Sequence, residues 1–103
     1  MNETQAAARF AALSDPSRLA ILRHLVRAGP EGTNAGDVAR AVGASPSRAS
    51  FHLAALSKAG LITSRREARA VIYTIHFEEL GDLLRWLVEE CCAGSATLRD
   101  CCR

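Results

Sequence analysis

A chain of 103 residues, 49% hydrophobic and 23% charged, is long enough for one core and too apolar for a disordered segment. Met1-Asn2-Glu3-Thr4-Gln5 carries no basic stretch leading into an apolar run, and no apolar stretch approaches the roughly 18 residues of a membrane span, so a cytosolic chain is expected. The net charge of +2 is unevenly spread: residues 45–70 hold Arg48, Lys58, Arg65, Arg66 and Arg69 against Glu67 alone, whereas residues 76–103 hold six acids against three arginines. A basic middle suits a polyanion and an acidic end suits a cation.

In chain order, residues 4–13 place Ala7, Phe10, Ala11 and Leu13 near helical spacing and stop at Ser14-Asp15-Pro16. Asp15 is a good N-cap and Pro16 suits the first helical position, so a second helix begins there. Its expected apolar stripe is Leu19, Leu22, Leu25 and Val26, and Gly29-Pro30 ends it. Glu31-Gly32-Thr33 reads as a loop. Asn34 then caps a short helix with Val38, Ala39 and Val42 inward, with Asp37 completing an approximate capping box. Gly43 breaks that helix. Ser45-Pro46 repeats the cap-plus-proline start, opening a helix to about Lys58 with Ala49, Leu53 and Leu56 on its inner side.

Beyond Gly60 the period changes. Leu61–Arg65 and Val71–Ile75 are β-rich runs, and Arg66–Ala70 is expected to form the hairpin tip between them. Helical spacing returns from about Glu78 with Leu80, Leu83, Leu84, Leu87 and Val88. Four helices, a two-stranded hairpin and a fifth helix define a mainly α (α+β) winged helix-turn-helix. Residues 1–92 are read as the DNA-binding and dimerisation domain, and 93–103 as a cysteine-bearing tail.

In that fold the second short helix enters the major groove. Its expected outward positions are Ser47, Arg48, Ser50, Phe51 and His52, with Ser45 at the cap. The serines can donate to phosphates or base edges, and the Arg48 guanidinium can bond two guanine acceptors at once. His52 can do either, or pack against a neighbour. Arg65, Arg66 and Arg69 on the hairpin fit a wing over the phosphate backbone. The double-stranded partner implied is an operator.

The runs Asp15-Pro16-Ser17-Arg18-Leu19-Ala20-Ile21-Leu22, Ser47-Arg48-Ala49-Ser50-Phe51-His52-Leu53-Ala54-Ala55-Leu56 and Ala59-Gly60-Leu61-Ile62 resemble the ArsR/SmtB family of bacterial metal-responsive repressors over nearly the whole chain. The resemblance implies a homodimer, built by the first and last helices, that represses its operator until metal binds. At the position of Phe51 many relatives carry a polar residue, often Gln; a stacking or methyl contact is open to the phenyl ring. A dimer also follows from the last helix, whose leucines on more than one side, with Trp86 nearby, exceed what one small core covers. Phe10, Leu13, Leu80, Leu83, Leu84 and Leu87 are its expected interface.

All four cysteines fall in the last thirteen residues, as Cys91-Cys92 and Cys101-Cys102. In a reducing compartment such a cluster is a ligand set before it is a disulfide frame. Thiolates select soft ions, and adjacent cysteines suit tetrahedral zinc poorly because each chelate must wrap the metal. A trivalent pnictogen needs three thiolates in a pyramid, which Cys91, Cys92 and either Cys101 or Cys102 supply, with Gly94-Ser95 letting the chain turn back. The resemblance agrees, since some arsenite- or antimonite-sensing members pair cysteines at the end of the last helix. It also excludes two other sensing sites: Thr33–Asp37 contains no thiol, and none of the three histidines, His24, His52 and His76, falls within residues 80–103. The expected inducer is As(III) or Sb(III). Alternatives are a thiol redox switch or a soft divalent site for cadmium, lead or zinc. An enzyme is not expected, for no Gly-rich anion loop or nucleophile–base pair accompanies the thiols.

Overall fold

The computed structural model describes residues 1–91, with Glu90 and Cys91 described by their backbone alone. Helix α1 (Glu3–Leu13) starts on a capping box one residue ahead of the expected helix: the Asn2 side chain accepts from the Gln5 amide and the Gln5 side chain accepts from the Asn2 amide. In α2 (Pro16–Ala28) the Asp15 carboxylate accepts from the amides of Ser17 and Arg18. Those bonds to the ionised form, that from Arg18 foremost, hold its pKa below the usual carboxylate value. The helix buries Ile21 and Leu25, while Leu19 and Val26, expected on the inner stripe, are exposed. Ile21, Leu25 and half-buried Leu22 share the inner side at i, i+1 and i+4, and Leu19 and Val26 flank it.

A 3₁₀ turn (Gly29–Glu31) leads to β1 (Thr33–Asn34), where the sequence predicted only loop. Asn34 then caps α3 (Ala35–Val42) by accepting from the Asp37 amide at 2.8 Å. Ser45 caps α4 (Pro46–Lys58) by accepting from the Arg48 amide. Strands β2 (Ile62–Glu67) and β3 (Ala70–Ile75) form the hairpin, and the sheet order is β1-β3-β2, antiparallel throughout. Its register pairs Thr33 with Tyr73 and Arg65 with Ile72. The tip is narrower than expected. Glu67 pairs with Ala70, so only Ala68 and Arg69 make the turn, and Ala68 has φ of 53°.

Helix α5 (Phe77–Trp86) continues into a π-helical turn (Leu87–Cys91). Its N-cap is His76, whose Nδ1 accepts from the Glu79 amide at 3.3 Å. The core gathers Ala6, Ile21, Leu25, Val38, Leu53, Leu56, Leu61, Ile62, Ile75 and Leu83, drawing on all the long elements, with Phe10, Leu13, Leu80 and Trp86 packed against its margin. Leu83 therefore corrects the expected interface: it is 1% exposed inside its own protomer and has no surface to give a partner. The mainly helical winged helix-turn-helix is the observed fold. The expected tail at 93–103 lies outside the described residues.

Candidate nucleic-acid interface

At 100° per residue, the buried Ala49, Leu53 and Leu56 of α4 set the opposite pole of the helix near Ser47, Phe51 and Ala54. Ser47, Arg48, Ser50 and Phe51 are all exposed, as expected. His52 is not. It lies three residues from Ala49 and four from Leu56, which turns it inward, and it is 5% exposed. Its Nδ1 accepts from Arg18 Nε at 3.1 Å. The imidazole accepts at this nitrogen, and it positions rather than reads. The Ser45 hydroxyl, already accepting from Arg48, serves the helix end first.

Arg18, which the sequence offers only as one residue of a motif, joins three elements. Its Nη1 donates to Ala12 O at 3.4 Å in α1, its Nε donates to His52, and its guanidinium carbon lies 5.7 Å from the centroid of the Phe51 ring. Phe51 meets His52 edge to face, with centroids 5.6 Å apart and 64° between planes. A cleft of about 340 Å³ opens between these groups, lined by Asp15, Arg18, Ser47, Arg48, Phe51 and His52. Exposed Arg48 and the Ser47 hydroxyl offer donors to phosphate oxygens and base edges, while half-buried Arg18 and the capping Asp15 form the inner wall of the cleft.

The three wing arginines are not equivalent. Arg65 donates to Pro30 O at 3.3 Å and Glu31 O at 2.7 Å, and pairs with Glu67 at 3.0 Å. It fastens the wing to the 3₁₀ turn. Arg66 and Arg69 are exposed nearer the tip, where they raise the local potential that an anionic backbone meets.

On the opposite side, Arg9 of α1 pairs with Glu79 of α5 at 2.6 Å, and its Nε donates to Ala59 O at the end of α4 at 3.3 Å. Leu84 and Leu87 are 50% and 37% exposed, and Phe77 is exposed on the same helix. Half-buried Phe10, Leu13 and Leu80 border this apolar surface. Among the described residues no group of three or more His, Cys, Asp or Glu side chains is placed to hold a metal ion. Cys91 closes the π-helical turn in backbone, and Cys92, Cys101 and Cys102 lie outside the described residues. No helix among the described residues is long and apolar enough to cross a membrane.

Five helices around one core, a hairpin wing and an exposed, cation-flanked α4 define the class of winged helix-turn-helix DNA-binding regulators. Residues 13–65 match the family described as a helix-turn-helix domain. The chain is 41% identical over 88 residues to the HTH-type transcriptional regulator YgaV of Escherichia coli, covering 85% of this chain and 87% of that one. It is 35% identical over 94 residues to a probable mercury resistance operon repressor of Streptomyces lividans, covering 90% and 71%. An ArsR-like transcriptional regulator from Rhodococcus sp. RHA1 superposes with a TM-score of 0.76 at 30% identity, over 94% of this chain and 89% of that one. The homodimeric winged helix-turn-helix domain of Mb0332 from Mycobacterium bovis superposes at 0.69 with 30% identity, covering 90% and 82%. The chain belongs to the ArsR family of winged-helix transcriptional regulators, and it is not an enzyme.

Proposed function

We propose that this chain is a homodimeric repressor that holds operator DNA through α4 and the wing, and lets go when As(III) or Sb(III) is bound by Cys91, Cys92 and Cys101 or Cys102. The observation that carries the proposal is continuity. The backbone of Cys91 closes the turn that directly extends α5, and α5 is the helix with exposed Leu84 and Leu87. A ligand set beginning at Cys91 acts on the same rigid element that offers an apolar face to a second copy.

Dimerisation buries that face and sets two α4 helices side by side for the two halves of a palindrome. The likeness to the homodimeric Mb0332 domain supports this arrangement. Gathering the thiolates around one ion ties the stretch after Cys91 to the end of α5 and biases the dimer toward a spacing that fits DNA less well. By linkage, DNA then lowers the affinity for the ion by the same factor, about 5–150-fold for typical couplings. The donor set fits the chemistry, since a three-thiolate pyramid satisfies a trivalent metalloid without a fourth ligand.

A soft divalent ion is the second reading, favoured by the likeness to the probable mercury resistance operon repressor. Mobility-shift titration of the reduced protein with arsenite, antimonite and Hg(II) separates the two. Release at stoichiometric arsenite or antimonite, lost in Cys91→Ser, is expected. Release by Hg(II) alone selects the divalent reading, and release by As(III) that persists in Cys91→Ser refutes the site.

A further inference from the structure

We infer that Phe51 is a thymine reader: its ring takes the C5-methyl group of a thymine in the major groove, and Arg18 is the positioning residue that holds the ring for it. The inference rests on the DNA-binding reading above and adds the chemistry of one base contact. Four observations converge on it.

Phe51 is 65% exposed, the most exposed of the large apolar side chains among the described residues. It stands near the outward pole of α4, one turn beyond Ser47 and three residues after Arg48. A phenyl ring has no donor or acceptor for base edges, so the only base-specific feature it can recognise in the major groove is the thymine methyl. Its flanks are polar, with Arg18, Arg48 and Ser47 around a shared cleft whose one acid, Asp15, is taken up by the amides of Ser17 and Arg18, which suits a polyanion better than an apolar protein partner.

The ring is also held. Arg18 lies over one part of it at 5.7 Å, and His52 meets it edge to face. Arg18 is itself fixed by Ala12 O and His52 Nδ1. A side chain braced in this way loses little conformational freedom on binding, so the contact with a methyl group is not offset by ordering the ring. Arg18 touches no base in this scheme. It acts through Phe51 and His52.

The test uses the full-length reduced protein and an operator selected by it from random duplexes. Each selected thymine is then replaced by deoxyuridine, which removes the methyl group and leaves every hydrogen-bonding edge unchanged. Burial of one such carbon corresponds to about a fourfold change in affinity, so the parent is expected to weaken about fourfold at one thymine in each half-site. Phe51→Ala is expected to bind the thymine and uracil duplexes alike, near the parent's affinity for the uracil form. Because Phe51 is solvent-exposed, this variant keeps the fold, which a thermal melt checks. Arg18→Gln is expected to shrink the thymine/uracil ratio below about twofold, a readout that general loosening of the fold does not move selectively. A parent that binds both duplexes equally overturns the inference, whatever the variants do. A fourfold ratio that survives Phe51→Ala overturns the role of Phe51, and one that survives Arg18→Gln overturns that of Arg18. A parent that selects no duplex at all overturns the DNA-binding reading itself, which is a separate failure.

Discussion

Gly29 and Gly32 form a matched pair from which the steric cost of one methyl group can be read. Their backbones are nearly the same, with φ, ψ of 69°, −159° and 70°, −168°. This region is essentially restricted to glycine, and an alanine there is strained by about 1–3 kcal/mol. Around Gly29 an added Cβ meets only Glu31 Oε2, at an ordinary 3.5 Å. Around Gly32 it meets Tyr73 O at 2.4 Å, Thr74 Cγ2 at 2.5 Å and Ile72 Cγ2 at 2.8 Å. The carbonyl belongs to β3 at the residue that pairs with Thr33, so it cannot step aside without opening the β1–β3 ladder. Overpacking of that kind adds about 1–3 kcal/mol. Gly32→Ala should thus melt below Gly29→Ala by about 4–24 °C, taking 4–8 °C per kcal/mol for a domain of this size. Thermal unfolding by circular dichroism at equal protein concentration measures the gap, since oligomerisation makes the midpoint concentration-dependent. Equal midpoints would refute the steric argument and leave only backbone strain.

Leu84→Glu places a charge on the apolar face of α5 and should convert the proposed dimer to monomer in sedimentation velocity, weakening operator binding at least about tenfold while the monomer stays folded. Arg66→Ala and Arg69→Ala should each reduce the salt dependence of DNA binding by about 0.9 of a unit in log–log slope for every phosphate that the arginine neutralises. Arg65→Ala should change that slope less and lower the melting temperature instead, because its guanidinium holds Pro30 and Glu31. Asp15 has a depressed folded pKa, so its stabilising contribution is present above the unfolded value and is lost as pH falls through the folded one. Asp15→Asn keeps a capping oxygen and should flatten that acid limb of the stability–pH curve.

The helix starts were legible because capping is local chemistry. Asp15-Pro16, Asn34 and Ser45-Pro46 each name a helix boundary within four residues, and all three cap as expected. What escaped depended on distant partners. Thr33–Asn34 is too short to show a period and becomes a strand only because glycine lets the chain approach β3. The hairpin tip looked five residues wide, since alanine is not a turn signal, yet Ala68 takes the positive φ that closes it. His52 could have been placed inward from its spacing to Ala49 and Leu56. Arg18 could not, because nothing in the sequence says that residue 18 and residue 52 meet. His76 as a cap was hidden by the rarity of histidine in that role. For the proposed thiol site the sequence shows the four cysteines, and the described residues reach only the backbone of the first.

Arg9 has a consequence for how any signal can travel. One guanidinium is held by an acid on α5 and by the carbonyl that follows the last turn of α4. A tilt of the outer helices against each other therefore cannot be absorbed quietly at the periphery. In the proposed dimer it would pull on the tail end of the segment whose other end is offered to the groove, like a tiller moved from the stern.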